Sequence, residues 1–227
     1  MSESHKQLLV VAAHPDDELL GVGGTVARYV RNGWEASALI LGTGALSRVD
    51  GSPDDVRRLR ESAARAGEII GFRRVLFESF PDNAFDTVSL LSITQVVEAH
   101  LARLQPSLIL THDAHDLNID HQRTFQAVLT ASRPCSAHAP SELRSFETVS
   151  ASEWQAPSLR FSPDTYVALS REDMERKLQA LAAYNTELRP FPHPRSLEVI
   201  TALAMVRGSE ALCERAEAFV TVRRIVK

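Results

Sequence analysis

The sequence has no apolar run approaching the ~18 residues that a membrane-spanning helix needs. Residues 1–7 (MSESHKQ) lack the basic and apolar segments of a secretion leader, which makes the cytoplasm the expected compartment. Cysteine is scarce: Cys135 and Cys213 stand far apart in no metal or redox spacing and read as two reduced thiols. Positive charge is in slight deficit, with 25 Lys and Arg against 29 Asp and Glu, a net charge of −4. The short basic pairs Arg57-Arg58 and Arg223-Arg224 do not make a phosphate-tracking stripe, so nucleic acid is excluded as the main partner. There is no repeat, low-complexity tract or linker, so residues 1–227 are expected to be one domain; homo-oligomerisation is left open.

What is present is a strand–helix rhythm. Leu8 to Ala13 is continuously apolar, as a strand buried on both faces would be, and a helical pattern follows from Leu19 to Asn32, ended by Gly33. Glu35 to Leu41 reads as a second strand. Pro53 opens an amphipathic helix that Gly71 closes, with Val56, Leu59, Ala63, Ala66, Ile69 and Ile70 on one face. Arg73–Phe77, a helix over Val88–Leu104 and a strand over Ser107–Thr111 continue the alternation. Strands are also expected at 144–149 and 165–169, and helices at 171–184, 197–208 and 209–218. The fold class is α/β, a three-layer α/β/α sandwich with a mostly parallel, Rossmann-like sheet.

In such a sheet, ligands bind beyond the carboxyl ends of the strands. Two such ends carry acids and imidazoles: His14-Pro15-Asp16-Asp17-Glu18, and the stretch His112-Asp113-Ala114-His115-Asp116-Leu117-Asn118-Ile119-Asp120-His121. Either cluster alone has an ordinary explanation, since acids before a helix serve as caps and complement its dipole. Brought together, the two suit a divalent metal, and zinc is the natural choice for an imidazole and carboxylate set.

The residues from His14 to Glu18 resemble the signature of the LmbE-like, or PIG-L-like, zinc-dependent de-N-acetylases, and Asp120-His121 opening a helix resembles that family's second motif. Gly23-Gly24-Thr25 fits as well, and the two motifs in this order are specific. The resemblance implies His14, Asp17 and His121 as ligands of one zinc per chain, with one or two waters completing the shell. It implies Asp16 as the general base toward the attacking water, and Asp120 as the carboxylate that orients an imidazole. The implied reaction is hydrolysis of an N-acetyl amide on a small amino sugar or its conjugate.

One departure stands out. Where family members commonly carry His-Pro-Asp-His, this chain has Asn118-Ile119-Asp120-His121. Asn118 can support an oxyanion by hydrogen bonding but cannot protonate an amine. Either Asp16 shuttles the proton both ways or another group supplies it. His193, preorganised among prolines in Arg189-Pro190-Phe191-Pro192-His193-Pro194-Arg195, is the expected acid, with His112 and His115 in reserve. Arg195 or Arg189 could bind an anionic part of the substrate. Arg58, in Arg58-Leu59-Arg60-Glu61, matches a third family element that would contact the substrate; an exposed ion pair with Glu61 is the plain alternative. Two rival functions remain: an amidase that cleaves a bulkier acyl or thiol conjugate, and a non-catalytic nucleotide- or sugar-binding module. In the latter, Gly21-Val22-Gly23-Gly24 would cradle a phosphate, although it lacks dinucleotide-fingerprint spacing.

Overall fold

The computed structural model describes residues 6–47 and 51–226. Strands β1 (Gln7–Ala12), β2 (Glu35–Gly42), β3 (Phe72–Phe80), β4 (Leu108–His112), β5 (Glu142–Phe146), β6 (Thr165–Ala168) and β7 (Ala216–Arg224) form one seven-stranded sheet in the order β3-β2-β1-β4-β5-β7-β6. The first five are parallel neighbours, and β7 runs antiparallel between β5 and β6. Strand order reverses between β1 and β4, and the two motif-bearing loops leave the carboxyl ends of these adjacent strands.

The continuous apolar strands feed two cores. Leu8 and Val10 of β1 face one side with Ala38 and Ile40, while Leu9 and Val11 face the other with Leu39 and Ile109. Helices α2 (Gly23–Arg31), α3 (Pro53–Ile70), α6 (Arg171–Ala182) and α7 (Leu197–Glu210) pack on the first face, and α4 (Leu90–Leu104) and α5 (Ile119–Ala131) on the second. Helix α3 begins as its sequence dictates. Ser52 and Asp55 bond reciprocally across the first turn, Pro53 occupies the first helical position, and Gly71 at φ 98° ends the helix in the left-handed region.

Two expectations are corrected. The single helix from Leu19 to Asn32 is two: α1 (Asp17–Leu20) and α2, with the break at Gly21-Val22. The helix expected over 209–218 does not form; α7 ends at Glu210 and Ala216 to Arg224 is strand β7. The chain doubles back over Gly208, whose missing Cβ would stand 2.6 Å from the Cys213 carbonyl, and 216–224 then fills the slot between β5 and β6. Local helix propensity in Glu-Arg-Ala-Glu-Ala yields to the pairing that the sheet offers.

Strand β7 also explains the glycine string. Glu217 accepts the backbone N–H groups of Gly24 and Thr25 at 2.9 and 2.6 Å, so the first turn of α2 is already occupied by the chain's own carboxylate. A Cβ on Gly21 would come within 2.3 Å of Phe146, and one on Gly24 within 2.5 Å of Leu169. These glycines are there for close packing, which removes the phosphate-cradle alternative. Lys177 of α6 completes the tie, donating to Glu217 at 2.6 Å and to the Leu20 carbonyl at 2.8 Å. Replacing Lys177 with Met should leave a buried carboxylate without its countercharge and cost about 3 kcal/mol of stability. A fall in the urea midpoint with unchanged slope is the expected reading; an unchanged midpoint would show that the two N–H groups suffice.

Candidate active site

The turn after β1 aims three acids inward. Asp16 takes φ 104°, a strained conformation for a residue with a side chain, and is 2% exposed. Its amide N–H donates to Glu18 Oε2 at 2.9 Å, and the buried Tyr184 hydroxyl donates to Glu18 Oε1. Glu18, itself pushed up to about 8 by burial, thus clamps the turn from below. Asp17 opens α1 and accepts the His14 amide at 2.9 Å.

The two motifs meet at Asp17. Its Oδ2 lies 3.3 Å from His14 Nδ1 and 3.2 Å from His121 Nε2, while its Oδ1 is buried with no hydrogen-bond partner. Burial alone would raise the Asp17 pKa, but the charges of His121 and His112 and the hydrogen bonds from His121 and His14 hold it well below the usual carboxylate range. Ligand atoms from His14, Asp17 and His121 lie within 4.8 Å of one another, which fits a divalent metal. The unpartnered carboxylate oxygen and the two converging ring nitrogens form the kind of donor set that zinc takes.

Each imidazole is held from behind. Asp120 Oδ2 receives His14 Nε2 at 2.8 Å, and Asp116 Oδ1 lies 3.2 Å from His121 Nδ1. A second grouping, His14 with Asp82 and Asp120, also clusters. Asp120, however, is filled by the backbone N–H groups of Asn83 and Phe85 at 2.7 and 2.9 Å as well as by His14. Its oxygens are thus occupied, and it stands behind His14 as carboxylates stand behind metal-binding histidines.

The other expected residues fall in different places. Asn118 caps α5: its Oδ1 accepts the Asp120 amide at 2.8 Å and its Nδ2 donates to Asn83. His112 is locked out of acid chemistry. Its Nε2 accepts the Ala13 amide, its Nδ1 bonds Thr148, its ring stacks on His121 at 3.8 Å, and burial first, then the His121 charge, lowers its pKa to about 3. The His115 side chain is 60% exposed and lies 3.8 Å from Asp113. Arg58, 63% exposed, pairs with Asp55 at 3.1 Å, while Arg57 takes Glu61. Among the described residues, Arg58's ion pair is with Asp55 and not with the His14–Asp17–His121 cluster.

The proline-rich loop does reach the site, through Arg195. Its guanidinium Nη1 donates to Asp16 Oδ2 at 3.1 Å, and its Nε donates to Ser150 at 2.8 Å. His193 accepts the Arg195 amide at Nδ1 and stands edge-on to Trp154, so Arg195 is the residue of this loop that touches Asp16. Burial pushes the Asp16 carboxyl up to about 7, against the downward pull of Arg195. A carboxyl at that value can both take and return a proton near neutral pH.

Sequence reasoning passed over Asp116, Asp82 and the Glu18–Tyr184 clamp. Asp82 had a readable signal: it follows β3, and ending that strand at Phe77 rather than Phe80 hid the loop. No local pattern announces Tyr184, which lies 166 residues from Glu18.

A family model described as PIG-L, GlcNAc-PI de-N-acetylase, matches residues 9–132. A probable N-acetyl-alpha-D-glucosaminyl L-malate deacetylase 2 of Bacillus anthracis is 26% identical over 136 residues, covering 57% of this chain and 60% of the relative. The N,N′-diacetylchitobiose deacetylase structure from Pyrococcus horikoshii superposes with TM-score 0.78 at 18% identity, over 96% of this chain and 84% of that one. A 4-carboxy-2-hydroxymuconate hydratase of Pseudomonas putida KT2440 shares the fold at TM-score 0.72 and 22% identity, over 98% of each chain. The structural likenesses speak for the fold alone; the family match takes in more than half of the chain, both motifs included, and the chain therefore belongs to the PIG-L de-N-acetylase family.

Proposed function

We propose that the chain is a zinc-dependent hydrolase that removes an N-acetyl group from a small amino sugar or amino-sugar conjugate. The observation that carries this reading is the convergence of His14, Asp17 and His121 beside a buried Asp16 that Arg195 holds in place. Bound there, zinc supplies an activated water and polarises the amide carbonyl. The sugar class is supported by the name of the Bacillus anthracis relative, a probable N-acetyl-alpha-D-glucosaminyl L-malate deacetylase, and by the family's description as GlcNAc-PI de-N-acetylase.

The chain's own residues divide the work. His14 and His121 present one ring nitrogen each; Asp120 bonds the other on His14, and the Asp116 carboxylate lies 3.2 Å from the other on His121. Asp16 takes a proton from the attacking water and returns it to the departing amine. This assignment replaces the one expected of His193, because Asp16 lies against the ligand set and His193 is bonded to Arg195. Arg195 keeps the Asp16 carboxylate aimed. Asn118 acts through the α5 cap, holding the helix that presents Asp120 and His121.

The metal assignment is tested by elemental analysis after dialysis: about one zinc per chain is expected, lost on chelation, and His14→Ala or His121→Ala should abolish stoichiometric binding. Full occupancy in both variants would overturn the ligand set. The base assignment predicts that Asp16→Asn retains zinc and loses roughly three orders of magnitude in kcat for amine release from N-acetylglucosamine conjugates. Near-normal turnover would remove Asp16 from the chemistry. His193→Ala should lower kcat by less than about tenfold if Asp16 serves as both base and acid; a hundredfold loss with zinc intact would return the acid role to His193.

A further inference from the structure

Arg195, which donates to Asp16 at 3.1 Å, also lines a cavity together with Ser150, Trp154, Glu187, Arg189 and His193. Trp154 is 56% exposed, an unusual position for the largest apolar side chain, and it sits on a short turn at 152–154. That turn is fastened down. Ser152 donates to Asp116, Glu153 accepts the amides of Ser150 and Ala151, and Gln155 donates to the His115 carbonyl. The indole is therefore presented on a rigid base linked, through Asp116, to the support of His121.

We infer that this cavity is a subsite for a second pyranose ring of the substrate, stacked on Trp154, while the N-acetylated ring lies over the cluster of His14, Asp17 and His121. The inference rests on the deacetylase reading for the position of the first ring. A flat, exposed indole offers the apolar face of a sugar ring a large contact at little entropic cost. The rest of the wall is polar and suits hydroxyl groups. His193 accepts the Arg195 amide at Nδ1, so its Nε2 carries the proton and is a donor without a partner among the described residues. Arg189 is exposed at the rim, its Nη1 bonded to the Thr186 and Leu188 carbonyls, and the buried Glu187, bonded by Thr186, forms the wall behind it.

Charge balance favours a neutral ring over an anion. The Arg195 charge is committed to Asp16 at 3.1 Å and stands 3.6 Å from Glu187, which leaves Arg189 facing a lining that already holds a carboxylate. Arg195 joins the two halves of the binding site, since the same side chain lines the cavity and holds Asp16. His193, prepared by the flanking Pro192 and Pro194, thus binds substrate rather than moving protons.

The chain has two tryptophans, so Trp34→Phe makes Trp154 the sole reporter, and adding Asp16→Asn stops turnover. This zinc-loaded double variant is titrated with N-acetylglucosamine, N-acetylglucosamine 1-phosphate and N,N′-diacetylchitobiose. Saturable change in Trp154 emission with the disaccharide, at about tenfold higher affinity than with the monosaccharide, is expected. In the active enzyme, Trp154→Ala should reduce the disaccharide-to-monosaccharide ratio of kcat/KM by about tenfold, and Trp154→Phe should restore most of it. Equal affinities for the two sugars, a ratio unmoved by Trp154→Ala, or tighter binding of the 1-phosphate than of the disaccharide would each overturn the subsite. Disaccharide binding without amine release by the active enzyme would retain the subsite and overturn the deacetylase reading instead.

Discussion

The structure depends on keeping the Asp17 carboxylate ionised in a place that excludes water. A buried carboxylate is costly unless positive charge and hydrogen-bond donors surround it. Here the His14 amide, two imidazoles and the start of α1 provide them, and one oxygen is still left over. Everything behind the site serves that arrangement. Asp120 and Asp116 fix the imidazoles, Asn83 and Phe85 fix Asp120, and Ser152 fixes Asp116. Support runs outward in successive layers, from β1 and β4 to loops contributed by β3 and by the segment after β5.

Asp16 and Asp17 show how neighbouring carboxyls are driven apart. Both are buried, yet Asp17 is held low by imidazoles while Asp16 is raised to about 7, with Arg195 as its main counterweight. Different partners accomplish this separation: Arg195 meets Asp16, the imidazoles meet Asp17, and Glu18 holds the amide of the strained Asp16. Two adjacent residues of one type thereby hold protons over different pH ranges, the division of labour that the proposed function assigns to them. That the fold also houses a hydratase in Pseudomonas putida underlines that the sheet decides little about the reaction, and the side chains at its edge decide most.

Much of this was legible in the sequence because it is local. Continuous apolar runs gave β1, β2 and β4, the Ser52–Asp55 box and Gly71 bounded α3, and the acids after β1 and β4 marked the edge where ligands bind. What stayed hidden depends on distant partners. Strand β7 forms because β5 and β6 leave a gap, and helix-prone residues cannot announce that. Asn118 reads as an oxyanion donor until the geometry shows it capping α5. His193 and Arg195 look equivalent on one loop, and only the turn of that loop shows which of them meets Asp16.

The bond from Glu217 to the first turn of α2 also bears on how the protein is made. The residues it joins are 193 positions apart. The motif from His14 to Glu18 leaves the ribosome well before the carboxylate that fills the neighbouring helix start and the lysine that neutralises it. Tyr184 and Arg195, which hold Glu18 and Asp16, are late as well. Until they are made, Asp16 and Glu18 lack the Arg195 and Tyr184 partners that hold them in the folded chain. The apolar layers can collapse as they emerge, in the order in which they are made. The turn from His14 to Glu18 therefore reaches its final shape only after strand β7 has been made, because contacts from residues 177 to 217 hold it and the helix start beside it.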